Sequence, residues 1–153
     1  DLVAECFERT FAVLRRAQDQ GLAREGRGSD RLAVTVGRLL DWQLSEAGPM
    51  LRISAFNSLP EPIRPAMRRQ ADRLVRRFGW LLGDAQADGS MPPNDTAIGA
   101  RLLHSMINAV IELDWWVPEG SDDVALAQYV QPLFCGLFAP MHAAEPAVRP
   151  PGA

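Results

Sequence analysis

At 153 residues, 47% apolar and 23% charged, with a net charge of −3, the chain has the size and balance of one ordinary globular domain. That balance excludes a global basic field that would draw it to nucleic acid or to an anionic membrane. No apolar run reaches the roughly 18 residues that mark a membrane span, and none reads as a signal peptide. The basic residues are all Arg, which with the abundant Ala and Pro points to the codon bias of a GC-rich genome. Cys6 and Cys135 lie far apart on apolar helix faces, the pattern of small buried thiols in a cytoplasmic protein rather than of a disulfide framework or a thiolate metal site.

Hydrophobic periodicity predicts an all-α chain with no strand, and six helices. The first, Leu2 to Gln18, sets Val3, Phe7, Phe11 and Leu14 on one side. The chain opens inside this helical pattern, so further sequence is expected upstream. The glycines at 21, 26 and 28 make a loop, and Ser29 or Asp30 caps the second helix. That helix buries Leu32, Val36, Leu39, Leu40 and Leu44 and stops at Gly48 followed by Pro49. A short third helix carries Met50, Ile53 and Phe56. Pro60, Pro62 and Pro65 open a long fourth helix, since proline is tolerated only in the first turn. This helix runs to about Ala87 with Ile63, Met67, Leu74, Phe78, Leu81 and Ala85 inward.

Asp88-Gly89-Ser90 ends the fourth helix, and Asn94-Asp95 caps a fifth that extends to Trp116. At 3.6 residues per turn its apolar residues, from Ile98 and Leu102 round to Leu103, Ile107 and Val110, cover an arc of roughly 220°. Only a strip carrying Arg101, Ser105, Asn108 and Glu112, with His104 at its edge, is polar. A surface helix needs an apolar stripe of about 100°, so the excess must meet something besides its own domain. The sixth helix, Ser121 to Phe138, repeats the excess with Leu126, Tyr129, Val130, Leu133, Phe134, Leu137 and Phe138. Two over-apolar helices in succession predict an oligomer interface. The domain therefore spans residues 1–140, and the Pro/Ala-rich segment 141–153 is expected to be disordered.

This layout resembles the C-terminal regulatory domain of TetR-type transcriptional repressors, from Asp1 to about Pro140. The likeness is carried by the Asp88-Gly89 turn, the capped start at Asn94-Asp95, the Ala-rich stretch Ala97 to Ala100, and the closing Phe134-Cys135-Gly136-Leu137. The resemblance implies a bacterial regulator in which the first helix links a DNA-binding head to a six-helix effector domain. The family's helix-turn-helix head lies outside this sequence, so no residue here is assigned a DNA contact, and operator DNA would be reached only through that head. It also implies a homodimer built on a four-helix bundle of the last two helices, with Leu103, Val110, Leu126, Val130, Phe134 and Leu137 at the interface. A twofold pair would match two half-sites about one turn of DNA apart.

The family's effector sits between the helices that match the first five here. The adaptable apolar side chains of that region are Phe11, Trp42, Met50, Ile53, Phe56, Met67, Phe78, Met106 and Trp115, with His104 as a polar member. Taken singly each suits a plain core, and together they could line an apolar cavity for a hydrophobic or aromatic small molecule. His104 lacks the convergent ligands a metal needs, since the only other histidine is His142 in the tail. The arginine run Arg68, Arg69, Arg73, Arg76, Arg77 is interleaved with Asp72 and Asp84 and reads as a solvated face. No nucleophile elbow, thiol–histidine pair or phosphate loop marks an enzyme, and no cofactor is expected. Two alternatives stay open: a helical protein-interaction module, and a small helical enzyme or carrier for a hydrophobic substrate.

Overall fold

The computed structural model of the chain describes residues 2–45, 50–51 and 53–113, except the side chains of Ile53, Ser54, Ile111 and Leu113. These residues form four α-helices and one 3-10 segment, with no strand among them. The order is α1 (Leu2–Leu22), α2 (Gly28–Gln43), the 3-10 segment Ile53–Ser58, α3 (Arg64–Ala87) and α4 (Thr96–Leu113). The expected sixth helix, the tail from 141, Trp115, Leu126, Val130, Phe134 and Leu137 lie outside the described residues.

Helix α1 runs a full turn past the expected end at Gln18, with Gln18 and Gly21 buried against neighbouring helices. Gln18 Nε2 donates to the Leu74 carbonyl at 2.8 Å, which spends a buried amide on the backbone of α3. Gly21 then passes so close to α2 that a Cβ there would meet the Thr35 side chain and lie 2.7 Å from the Arg31 carbonyl. A glycine ordinarily weakens a helix interior, but here only a glycine fits between the two helices.

Helix α2 begins earlier than expected. Gly26 turns the chain at φ 122°, a left-handed geometry suited to glycine. Asp30, the third residue of the helix, accepts the Arg27 N–H at 3.2 Å instead of serving as the cap itself. The orphan N–H groups of the first turn are met from the far end of α3. Gly28 N–H donates to Asp88 Oδ2 at 2.5 Å, and Ser29 N–H donates to Ser90 Oγ at 2.9 Å. Hydrogen bonds from Ser90 and from Gly28 hold the Asp88 carboxyl at about 2, well below its ordinary 3.8.

The α2 helix closes at Gln43 rather than continuing to Gly48. Gln43 is buried, donating to the Ile107 carbonyl at 3.2 Å and accepting the Met50 N–H at 2.8 Å. Leu44, expected in the core, sits just beyond this end and is 43% exposed. The short third helix is a 3-10 segment, the tighter form favoured by short pieces. It places Phe56 against Phe7, ring centroids 4.4 Å apart and stacked.

Pro65 falls in the first turn of α3, and the helix ends at Asp88 and Gly89, whose φ is 71°. Asp95 caps α4, its Oδ1 accepting the N–H groups of Ala97 at 2.9 Å and Ile98 at 3.0 Å. One core joins all four helices through Phe7, Phe11, Leu32, Leu39, Phe78, Leu81, Ile107 and Val110. No helix among the described residues is long and apolar enough to cross a membrane.

The crossing of α2 on α3 yields a paired prediction. A Cβ on Gly28 would fall on the Ala85 backbone, whereas one on Gly37 would meet nothing within 4 Å. Gly28→Ala should cost about 2 kcal/mol or more by overpacking, and Gly37→Ala should stabilise by about 0.5–1 kcal/mol through helix propensity. Urea denaturation followed by helix ellipticity measures both; equal effects would refute the close crossing.

Candidate functional site

Three surface features emerge from this packing. The first is an open groove of about 680 Å³ between α1 and α2. Its apolar lining includes Val13, Ala17 and Trp42. Its charged lining is Arg9 and Arg16 from α1 with Arg38 and Asp41 from α2. Arg9 lies over the Trp42 ring, its guanidinium carbon 5.5 Å from the centroid, a cation–π placement. Arg38 and Asp41 approach to 4.0 Å with both side chains mostly exposed, so their mutual attraction is weak.

The second feature is the division of α4 into two apolar faces. Ala100, Leu103, Ile107 and Val110 are all but inaccessible and belong to the core of the chain itself. Ile98 and Leu102, on the opposite flank, are 56% and 52% exposed, with Ala109 exposed and Met106 part-buried beside them. Leu103 and Val110, expected at a partner interface, are buried within the single chain. They lie on the side of α4 that packs on α2 and α3, so the surplus apolar surface is the Ile98–Leu102 side instead.

The third is the polar edge of α4 at His104. The ring is 6.4 Å from that of Phe78, and Asn108 Nδ2 lies 3.1 Å from its Nε2 while also donating to the His104 carbonyl at 2.8 Å. With the amide as donor, Nε2 accepts and the ring proton rests on Nδ1. That Nδ1 is buried without a hydrogen-bond partner among the described residues. Burial lowers the pKa of His104 below the ordinary 6.5, because a charged imidazolium would lose its hydration there.

The residues expected around an effector separate into groups. Phe11, Met50, Phe56 and Phe78 are packed core, each at most 4% exposed. Phe7 explains much of this by filling the space between them, 5.9 Å from Phe11 and stacked on Phe56. Met67 packs part-buried against the same core. The Ile53 side chain and Trp115 lie outside the described residues. Among the described members of the set, only Trp42 lines the groove on α1 and α2. Sequence reasoning missed Arg9, Arg16, Arg38 and Asp41, which come from two helices whose pairing the one-dimensional pattern does not give.

The arginines of α3 are mostly solvated as expected, though Arg77 is drawn into an ion pair with Asp19 of α1. Asp84 is likewise paired, with Arg31 of α2 at 3.2 Å. Trp80, 62% exposed, stands among Arg73, Arg76 and Arg77 at a smaller recess of about 390 Å³.

Among the described residues, four helices share one core, α4 turns an apolar face outward, and α1 and α2 enclose a groove. A family model described as the tetracyclin repressor-like C-terminal domain matches residues 25–136, well over half of the chain. The chain belongs to that family. A search of curated proteins gives no match.

Burial of His104 fixes the sign of one pH effect. The unfolded chain takes up this proton near 6.5 and the folded chain only at lower pH, so the unfolded state binds more protons below 6.5. Its stabilising contribution is complete above 6.5 and is lost as pH falls from there through the lower pKa of the folded chain. The melting temperature should therefore drop between about pH 7 and about pH 5, and His104→Gln should flatten that drop. An unchanged slope in the variant would refute the burial of a neutral ring.

Proposed function

We propose that this chain is the effector-binding and dimerisation domain of a TetR-like transcriptional regulator. It pairs as a homodimer and responds to a hydrophobic or aromatic small molecule that alters the DNA affinity of a helix-turn-helix head. The observation that carries this reading is the outer face of α4. Ile98 and Leu102 remain more than half exposed although the same helix buries four residues completely in its own chain. Full burial of such side chains is worth about 1.5–3 kcal/mol each relative to exposure, so each stands to gain about half of that. Four such side chains across a twofold axis form the centre of an interface, whose usual total of roughly 1,600 Å² needs further residues from both chains.

Family membership supports the regulatory half of the reading. A domain whose α1 leads toward a DNA-binding head can transmit a ligand's presence by changing the angle of that helix. The ligand shifts the balance only by its difference in affinity between the two α1 positions. The groove between α1 and α2 offers Val13, Ala17 and Trp42 to an apolar or aromatic ring, beside the charged Arg9, Arg16, Arg38 and Asp41 that can orient it.

Light scattering on the chain over a dilution series should give a dimer at low micromolar concentration. Ile98→Glu and Leu102→Glu each set a charge in a dry interface and should weaken the dimer by about 100-fold or more while helix content is kept. Val110→Asp, by contrast, buries a charge in the monomer core and should unfold the chain. A monomeric wild-type chain would favour a helical interaction module that uses the same exposed face for another protein.

A further inference from the structure

The groove between α1 and α2 concentrates positive charge in a chain that is negative as a whole. Three guanidiniums, from Arg9, Arg16 and Arg38, face one carboxylate, from Asp41, while the net charge of the chain is −3. The carboxylate does little to cancel the cations. Among the described residues it pairs with Arg38, at 4.0 Å, and both partners are mostly exposed. The apolar part of the lining is Ala12, Val13 and Ala17 from α1 and the indole of Trp42 from α2. Arg9 over the indole holds it as a wall beside the cations.

A neutral apolar ligand would use only the indole and the aliphatic strip. A cationic one would be opposed by the guanidiniums, whose field is felt strongly beside a low-dielectric wall. A planar aromatic anion satisfies both halves, because its ring can lie against Trp42 and its carboxylate can accept paired N–H bonds from arginine. The volume of about 680 Å³ is that of a site for a molecule of one or two fused rings with room for substituents.

We propose that this groove is a binding site for a planar aromatic carboxylate, with its ring on Trp42 and its carboxylate held by Arg16 and Arg38. The proposal rests on the effector-binding reading above and gives it a location and a ligand class. The site draws six of its ten lining residues from α1 and three from α2, so a bound ring bears on both helices and biases the angle between them. Packing in the core explains why the effector takes an outer groove: Phe7, Phe11 and Phe56 already fill the space behind it.

Titration calorimetry on the 153-residue chain tests this with 2-naphthoate, 2-naphthalenemethanol and 2-naphthylmethylammonium as probes. The naphthoate should bind at least about 10-fold more tightly than either analogue, and Trp42→Ala and Arg16→Glu should each weaken it at least about 10-fold. Neither side chain is part of the buried core, and helix ellipticity checks that each variant folds. Unchanged naphthoate binding in Trp42→Ala would put the ligand elsewhere, overturning this site and leaving the effector-binding reading in place. Equal or tighter binding of the alcohol or the ammonium would overturn the anion preference. Failure of all three probes to bind would overturn this site and leave the effector-binding reading, which rests on family membership, in place.

Discussion

Everything in this domain depends on how closely α2 lies against its neighbours. Two glycines set that distance, Gly21 against the Thr35 turn of α2 and Gly28 against the Ala85 backbone of α3. Without a Cβ at either place the helices touch backbone to side chain or backbone to backbone, an approach no other residue permits. The second contact is locked by charge. Asp88 and Ser90, at the end of α3, receive the free N–H groups that open α2, so the helix start is satisfied by its partner rather than by its own cap. A carboxylate held there also meets the positive end of the α2 dipole.

From that fixed frame the rest follows in order. With α2 seated on α3, Gln43 at its other end reaches the Ile107 carbonyl and sets the rotation of α4. That rotation turns Leu103, Ile107 and Val110 inward and leaves Ile98 and Leu102 outward. On the opposite side of α2, the spacing to α1 is held at Gly21 and opens into the groove that contains Arg16, Arg38 and Trp42. Buried glutamines at 18 and 43 act as orienting pegs, each tying a side-chain amide to the backbone of a helix distant in sequence. Such bonds add modest stability but are costly to break, which favours one arrangement over its near neighbours.

Much of this was legible in the sequence, and the parts that were not have definite causes. The inward residues of α1 and α3, Phe7, Phe11, Leu14, Phe78 and Leu81, follow directly from helical spacing, and the caps at Asp95 and Asp88-Gly89 follow from local chemistry. Periodicity gives the angle between two residues of one helix but not the direction either faces. A 220° apolar arc on α4 therefore announced a second apolar side without saying that Leu103 and Val110 belong to the first. Gly21 and Gly28 read as loop because glycine carries the same letter in a turn and in a close helix crossing. The charged groove escaped notice because its residues are contributed singly, one turn at a time, by two helices.

The account stands on the outer face of α4 being an interface between copies of this chain. The most direct test is the thiol reactivity of Leu102→Cys, measured with the native cysteines replaced by serine and beside Ala33→Cys as an exposed control. Light scattering on the same samples gives the mass. In a dimeric sample the Leu102→Cys thiol should react at least about 10-fold more slowly than the control, and the Ile98→Glu change should restore its rate. A dimeric sample in which both thiols react equally fast would place the interface elsewhere and contradict the account.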